Sequence, residues 1–315
     1  MAQQTWTFDA PTGTYKNHTL SSDLRQAAIV DTKFMQFVKP EAGYGRKKGD
    51  TITITRVSNL TVPTDGTLAE TTRIPEDILT IQTVGITVVE WGRSVPYTSL
   101  SEDLSEFNIE NSVQAALKNQ MKVVMDNASS AAFKTGQIKA EQTGVSAINF
   151  DTGGTATGAA IANLNLYGVE QIRDYMYSTL FVPPFEGDDY IGLVSTFAAR
   201  GIKQDPAWET WHKYTDPQAK YNAEIGRLEN IRFVESPNVN ALKKNAGTST
   251  TTGEAVFFGM DPVVMAVCQD PELRVAIPQD FGRQKNVAWY GILQFGIVWS
   301  TSTAGEARIV HYTST

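Results

Sequence analysis

Two β-branched runs joined by a long polar connection constrain this chain more than any other stretch. GDTITITRVSN, from Gly49, alternates Ile52 and Ile54 with Thr51, Thr53 and Thr55. ILTIQTVGITVVEWGRSVPYT, ending at Thr98, alternates Val84, Ile86 and Val88 with Thr83 and Thr87. A period of two with β-branched residues on both faces reads as a pair of strands. Leu79 and Ile81 fall on odd positions and the later apolar residues on even ones, so a bulge or bend is expected near Gln82. The connection, LTVPTDGTLAETTRIPED, is interrupted by Pro63, Gly66 and Pro75. It exceeds the roughly 12–15 residues beyond which loops in compact domains are usually functional or disordered. A two-stranded hairpin is marginal on its own in water. This one is therefore expected to lie against something outside its own domain, most simply another copy of the chain.

Composition narrows the function classes. The 315 residues suffice for one large or two medium domains. The net charge of −7 leaves no excess of Lys and Arg to neutralise phosphates, and the one basic cluster, Arg46-Lys47-Lys48, is short. Specific nucleic-acid binding is disfavoured. A single cysteine, Cys268, excludes an intrachain disulfide and a Cys-based zinc site and fits a reducing compartment. No apolar run reaches the roughly 20 residues of a membrane span, and MAQQTWTFDAPTG lacks the regions of a signal peptide, so folding in the cytosol is expected.

Residues 1 to 20 read as an arm with Trp6, Phe8 and Tyr15 as anchors. Leu24, Ala27, Val30, Phe34 and Phe37 fall at helical spacing between Ser22 and Pro40 and predict a short amphipathic helix. After the hairpin, Val113, Leu117, Met121 (or Gln120), Val124, Ala128 and Ala131 predict the longest helix, capped by Asn111 or Ser112 and ended by Gly136. Asp151 to Ala160 is Gly- and Thr-rich and reads as a connection between two lobes. A helix with Val169, Ile172, Met176 and Leu180 on one face leads through Pro183-Pro184 to a buried strand at Tyr190–Val194, the order of a small α/β lobe. QDPAWETWHKYTDPQAKYN is left irregular, IRFVES and EAVFFG read as strands, and ALKKNAGTSTTTGEA between them reads as a flexible excursion. LRVAIP, VAWYGILQFGIVWS and ARIVHYT are rich in β-branched and aromatic residues, and Trp289, Ile292 (or Leu293), Phe295, Ile297 and Trp299 make this the main sheet-forming tail.

Motifs that carry chemistry are sparse. Asp151-Thr152-Gly153 matches the core of an aspartic-protease motif, but Gly154 follows where a small Ser or Ala is needed and no long apolar strand comes after, so a connecting loop is the better reading. Gly187-Asp188-Asp189 reads as a turn rather than a polymerase metal motif, since the chain has no basic cleft for template. His18, His212 and His311 lack metal-ligand spacing, and GYGRKKG lacks the end of a phosphate loop. No catalytic residue, cofactor or metal is expected. The basic turn is instead expected either to be solvated or to meet acidic groups such as Glu102, Asp103 and Glu106 of a neighbouring copy.

The order arm, short helix, long hairpin, long helix, α/β lobe and returning strands resembles major capsid proteins of tailed bacteriophages, with an α+β Hong Kong 97 (HK97)-type fold. GDTITITR followed by TVGITVVEWGRSVPYT looks like the extended loop of the capsid family typified by the N4-like phages. DDYIGLVS, AEIGRLENIRFVES and EAVFFGMDP, with Glu224, Gly226 and Glu235, are similar to that family's axial-domain strands. The resemblance implies an arm over 1–45, an extended loop over 46–97, a peripheral domain over 98–160 with a spine helix over 111–137, an axial domain over 161–270, and strands over 271–315 returning to the peripheral domain. It implies self-assembly into hexamers and pentamers of an icosahedral head around double-stranded DNA, with scaffolding, portal and decoration proteins as partners and no membrane. Assembly would take place in the cytoplasm of a bacterial host. Expected inter-subunit contacts are Arg46, Lys47, Lys48, Arg73, Trp91 and Arg93. The loop over 59–77 contains no Lys, so no loop-lysine crosslink is expected. Readings of another class are a β-rich tail or fibre subunit and a hydrolase using Asp151.

Overall fold

Two sheets meet across one core, with a long helix laid along the smaller sheet. The structure, a computed structural model, describes residues 27–41, 50–68, 70–71, 73–105, 108–206, 208, 223–244 and 252–314. Strands β1 (Val38–Glu41), β11 (Val263–Val275), β12 (Gln284–Gly296) and β4 (Val89–Thr98) form a four-stranded sheet in that order. A seven-stranded sheet has the order β6 (Ala147–Asp151), β5 (Ile138–Gly144), β13 (Ile309–Tyr312), β10 (Ala255–Phe258), β7 (Tyr190–Ser195), β9 (Ile231–Ser236) and β8 (Glu224–Leu228). Among the described residues, β2 (Thr51–Val57) and β3 (Ile81–Thr87) pair only with each other.

The buried pattern follows the pleat. Ile191 and Leu193 of β7 join the core shared with the long helix, while Tyr190 and Val194 join a second core on the opposite face. β10 divides in the same way, Val256 and Phe258 against Ala255 and Phe257. Burial on both faces is why these strands read as continuous apolar runs. The second core is closed by α3 (Leu166–Asp174), which runs on into a π-turn at Tyr175–Thr179, and by α4 (Thr196–Lys203). Val169, Ile172, Met176 and Leu180 are all buried, as their spacing predicts.

α1 (Ser99–Asp103) is one short turn after β4, and α2 (Ile109–Phe133) is the long helix. Its cap is Asn108, whose side chain accepts from the Asn111 N–H at 2.9 Å, earlier than the expected Asn111 or Ser112. It ends before Gly136 because Thr135 directs both its N–H (3.0 Å) and its hydroxyl (2.7 Å) to the Ala132 carbonyl. The outcome is a helix over 109–133 rather than 111–137. α2 packs on β12, where Val287, Trp289 and Leu293 are buried and the Trp289 indole N–H donates to Gln120 Oε1 at 3.3 Å. Leu293 thus faces this core and Ile292 faces away.

Four expectations change. The helix expected up to Pro40 is, over its described part, a single 3-10 turn at Phe34–Phe37 followed by β1, in which Pro40 sits at a sheet edge where its missing N–H is tolerated. Residues 22 to 26 lie outside the described residues. No bulge occurs at Gln82: the register runs unbroken from Thr51↔Thr87 to Val57↔Ile81, with Ile81 exposed because no described residue covers that end. The second run is instead divided at Val88, after which β4 leaves the hairpin and pairs with β12. The tail is also shared between sheets, since β12 lies on α2 whereas β13 pairs with β5 and β10.

Candidate assembly surface

The hairpin is anchored at its base and bare beyond it. Ile52 and Ile86, cross-strand partners, are buried with Val264, Ala266 and Val298. Gly296 lets Ile86 come close, since a Cβ there would lie 2.7 Å from Ile86 Cδ1. One step further out, the Arg56 guanidinium donates to the Val298 carbonyl at 3.1 Å and to Gln82. It lies 5.9 Å from the Trp299 ring centroid, and Arg308 lies 5.0 Å from that same ring. Nearby Glu306 is nearly buried. The Ser58 side-chain hydrogen bond, opposed by burial and aided by Thr301, Arg56 and Arg308, holds its carboxyl below the usual range.

Beyond Asn59 the polypeptide loses these supports among the described residues. Leu60, Leu68, Ile74 and Leu79 are exposed, and Val62 and Ile78 are each 87% exposed. Residues 58 to 80 carry Asp65, Glu70, Glu76 and Asp77 against Arg73 alone, so the segment is acidic as well as apolar. Asp65 accepts from the Thr67 N–H at 2.8 Å, a local turn that holds its carboxyl below the usual range. Exposed large apolar side chains gathered in one segment are characteristic of an interaction site. A second bare patch sits at the turn between β11 and β12, where Ile277 is 88% exposed and Phe281 fully so. Asp280, Phe281 and Gly282 all have positive φ there. The sequence reading missed this patch, although IPQDFG carries the Pro and Gly of an exposed turn.

Of the six expected contact residues, Arg46, Lys47 and Lys48 lie outside the described residues. Arg73 is exposed on the bare segment and pairs with Glu76. Arg93 is exposed on β4 opposite Trp289, and Trp91 is half-buried with its indole N–H donating to the Leu293 carbonyl at 3.0 Å. Arg73 is thus on the finger, while Trp91 and Arg93 are on the sheet. Glu102, an expected partner of the basic turn, is held within the chain by Lys285 at 2.7 Å; Glu106 lies outside the described residues.

The candidate catalytic motifs resolve into structural parts. Asp151 Oδ1 accepts from the Gly153 N–H at 2.7 Å and Gly154 has φ +85°, which makes DTG a turn. Asp189 is buried and gives one oxygen to Arg227 and the other to Arg232, each Nε at 2.8 Å. Among the described residues no group of three or more His, Cys, Asp or Glu is placed to hold a metal ion, and no helix is long and apolar enough to cross a membrane.

Comparison with known proteins places this architecture. No protein-family model matches the sequence. No curated protein matches it either. Among solved structures, the head of Helicobacter pylori bacteriophage KHP40 superposes with a TM-score of 0.71 at 14% identity, covering 99% of this chain and 99% of that one. The capsid of cyanophage Pam1 gives 0.69 at 12% identity, over 98% and 99%. The capsid of Ralstonia phage GP4 gives 0.67 at 15% identity, over 98% and 97%. The chain therefore has the α+β HK97-type fold.

Proposed function

We propose that this chain is the major capsid protein of a tailed bacteriophage, self-assembling into the hexamers and pentamers of an icosahedral shell around double-stranded DNA. The observation that carries this reading is a finger anchored at its base by Ile52 and Ile86 and bare beyond Asn59, on a fold shared end to end with phage capsid chains. A monomer that leaves Val62 and Ile78 in water has a reason to associate, because each buried CH₂ is worth about 0.8 kcal/mol. The acidic balance supports enclosure of DNA without adhesion, since phosphate binding depends on Lys and Arg.

Within this reading, the extended loop starts at 46 and ends at Val88 rather than 97, because β4 belongs to the four-stranded sheet; the helix over 109–133 is the spine of the peripheral domain, and the seven-stranded sheet is the axial domain. The seven-stranded sheet also takes in β5, β6 and β13, which extends that domain beyond 161–270 in both directions. Arg46, Lys47, Lys48, Arg73, Trp91 and Arg93 are proposed as contacts to neighbouring copies. Scaffolding, portal and decoration proteins are the proposed partners, and kinship with the N4-like capsids is supported by the strands GDTITITR and AEIGRLENIRFVES. The role is structural rather than enzymatic, and the shell is assembled in the host cytoplasm. Negative-stain microscopy of the protein co-expressed with its neighbouring phage genes tests the reading. Closed angular shells are expected. Rods, fibres or dispersed monomers would overturn it.

A further inference from the structure

At the end of α2, four charged or titratable side chains meet in the interior. His311 of β13, Lys139 of β5 and Glu254 ahead of β10 are each at least 94% buried, and Lys134 reaches in from the helix terminus. His311 Nε2 lies 2.8 Å from Glu254 Oε1, and Lys134 Nζ lies 2.8 Å from Glu254 Oε2. The Lys243 backbone N–H also donates to Glu254 Oε2. Lys139 Nζ lies 2.7 Å from the Lys134 carbonyl and 3.0 Å from His311 Nδ1.

These contacts fix the tautomer. Glu254 can only accept and Lys139 can only donate, so Nε2 carries the proton and Nδ1 receives the ammonium. The second proton of an imidazolium must therefore land on Nδ1, the one atom already facing a cation. Charging it sets donor against donor and places a third positive group around a single carboxylate.

We propose that the run of contacts from His311 through Lys139 to the Lys134 carbonyl is an acid-sensitive fastening, in which the neutral imidazole holds the Lys139 ammonium of the seven-stranded sheet against the end of the long helix at neutral pH and loses it when His311 takes a proton. The charged groups that face His311 are Lys139 from β5, Glu254 from the segment before β10, and Lys134 from the end of α2; the Lys243 side chain is exposed. Burial, opposed by the hydrogen bond to Glu254 and aided by the charge of Lys139, pushes His311 down to about 4. Burial would raise Glu254, but its hydrogen bond from His311 and its ionic partner Lys134 overcome this and hold it at about 2. Burial also lowers Lys139.

The sign is settled by proton counting. Between about 4 and an ordinary histidine value near 6.5, the unfolded chain binds a proton that the folded chain refuses, so stability falls as pH drops through that window. From pH 7 to 4.5 this corresponds to a roughly 50-fold fall in the folding constant attributable to His311.

The test has two arms on the full chain. Hydrogen–deuterium exchange at the imidazole C2 position, read by mass spectrometry across pH, is expected to give His311 a midpoint well below 6; a midpoint near 6.5 in the folded protein overturns the proposal. Urea unfolding at pH 7 and 4.5 compares the wild type with His311→Gln, which keeps a donor toward Glu254 without a titrating ring. The wild type is expected to lose about 50-fold more folding constant than the variant over that interval, and equal losses overturn it. If the variant does not fold, the exchange measurement on the wild type decides alone.

Discussion

The Phe34 backbone N–H donates to Asp126 Oδ1 at 2.8 Å, across 92 residues of sequence. The 3-10 turn that Phe34 opens has no side-chain cap of its own, since Lys33 supplies none, and a carboxylate on the long helix takes that place. The other oxygen accepts from Asn238 Nδ2 at 3.1 Å. Burial raises the Asp126 carboxyl above its usual value, against these hydrogen bonds.

Asp126→Ala removes the acceptor shared by Asn238 and the backbone N–H groups of Lys33, Phe34 and Met35 and is expected to cost about 2–4 kcal/mol in urea unfolding. Asp126→Asn keeps one acceptor oxygen but turns an amide toward the Asn238 amide, so it is expected to recover only part of that loss. Full recovery by Asn would mean that the two-acceptor geometry is unimportant.

Gly296→Ala places a methyl group 2.7 Å from Ile86 Cδ1 and 2.8 Å from Cγ1, so the buried Ile86 side chain must shift against Val264, Ala266 and Val298. A cost of about 1–3 kcal/mol is expected, the range for overpacking. Amide exchange should accelerate in β2 and β3 while β7 and β10 remain protected. Faster exchange spread evenly over all the strands would argue against a separately seated finger.

Ser58 N–H donates to the Thr80 carbonyl at 3.2 Å, so excision of residues 59 to 77 leaves Ile78 and Leu79 as a two-residue turn. With those two changed to Asn and Gly, a favoured hairpin turn, the chain is expected to melt within a few degrees of the wild type and to form no closed shells by microscopy. Normal shells would show the excised segment to be dispensable.

The bare segment contains no Lys, and Arg73 cannot form an isopeptide bond. Mature particles boiled in detergent are expected to run as one band near 34.6 kDa. A ladder of multiples would reveal a covalent link from elsewhere in the chain.

What the sequence made legible and what it hid follow from the range of the interactions. Val169, Ile172, Met176 and Leu180 declared their helix because one face was uniformly buried, and β7 and β10 declared themselves because both faces were. Which sheet a strand joins was not written in its period: Val84 through Val95 reads as one run, yet the partner changes from β2 to β12 at Val88. The spacing of Leu24 to Phe37 pointed to a helix because the competing partner, Asp126, lies far along the chain. In the candidate surface, the polarity and punctuation of 59–77 were visible, whereas the exposure of Phe281 depended on a turn geometry that only the folded chain displays.

Val88 is the only residue between β3 and β4, and its N–H is tied to the Asp50 carbonyl at 2.9 Å. A pull on the fingertip therefore has no slack to take up before it reaches β4. It passes directly to the ladder of pairs from Val89↔Leu293 to Thr98↔Gln284 that holds β4 on β12. A container swollen from inside by its cargo would pull these fingers taut, and the four-stranded sheet would feel the load as soon as the fingertip did.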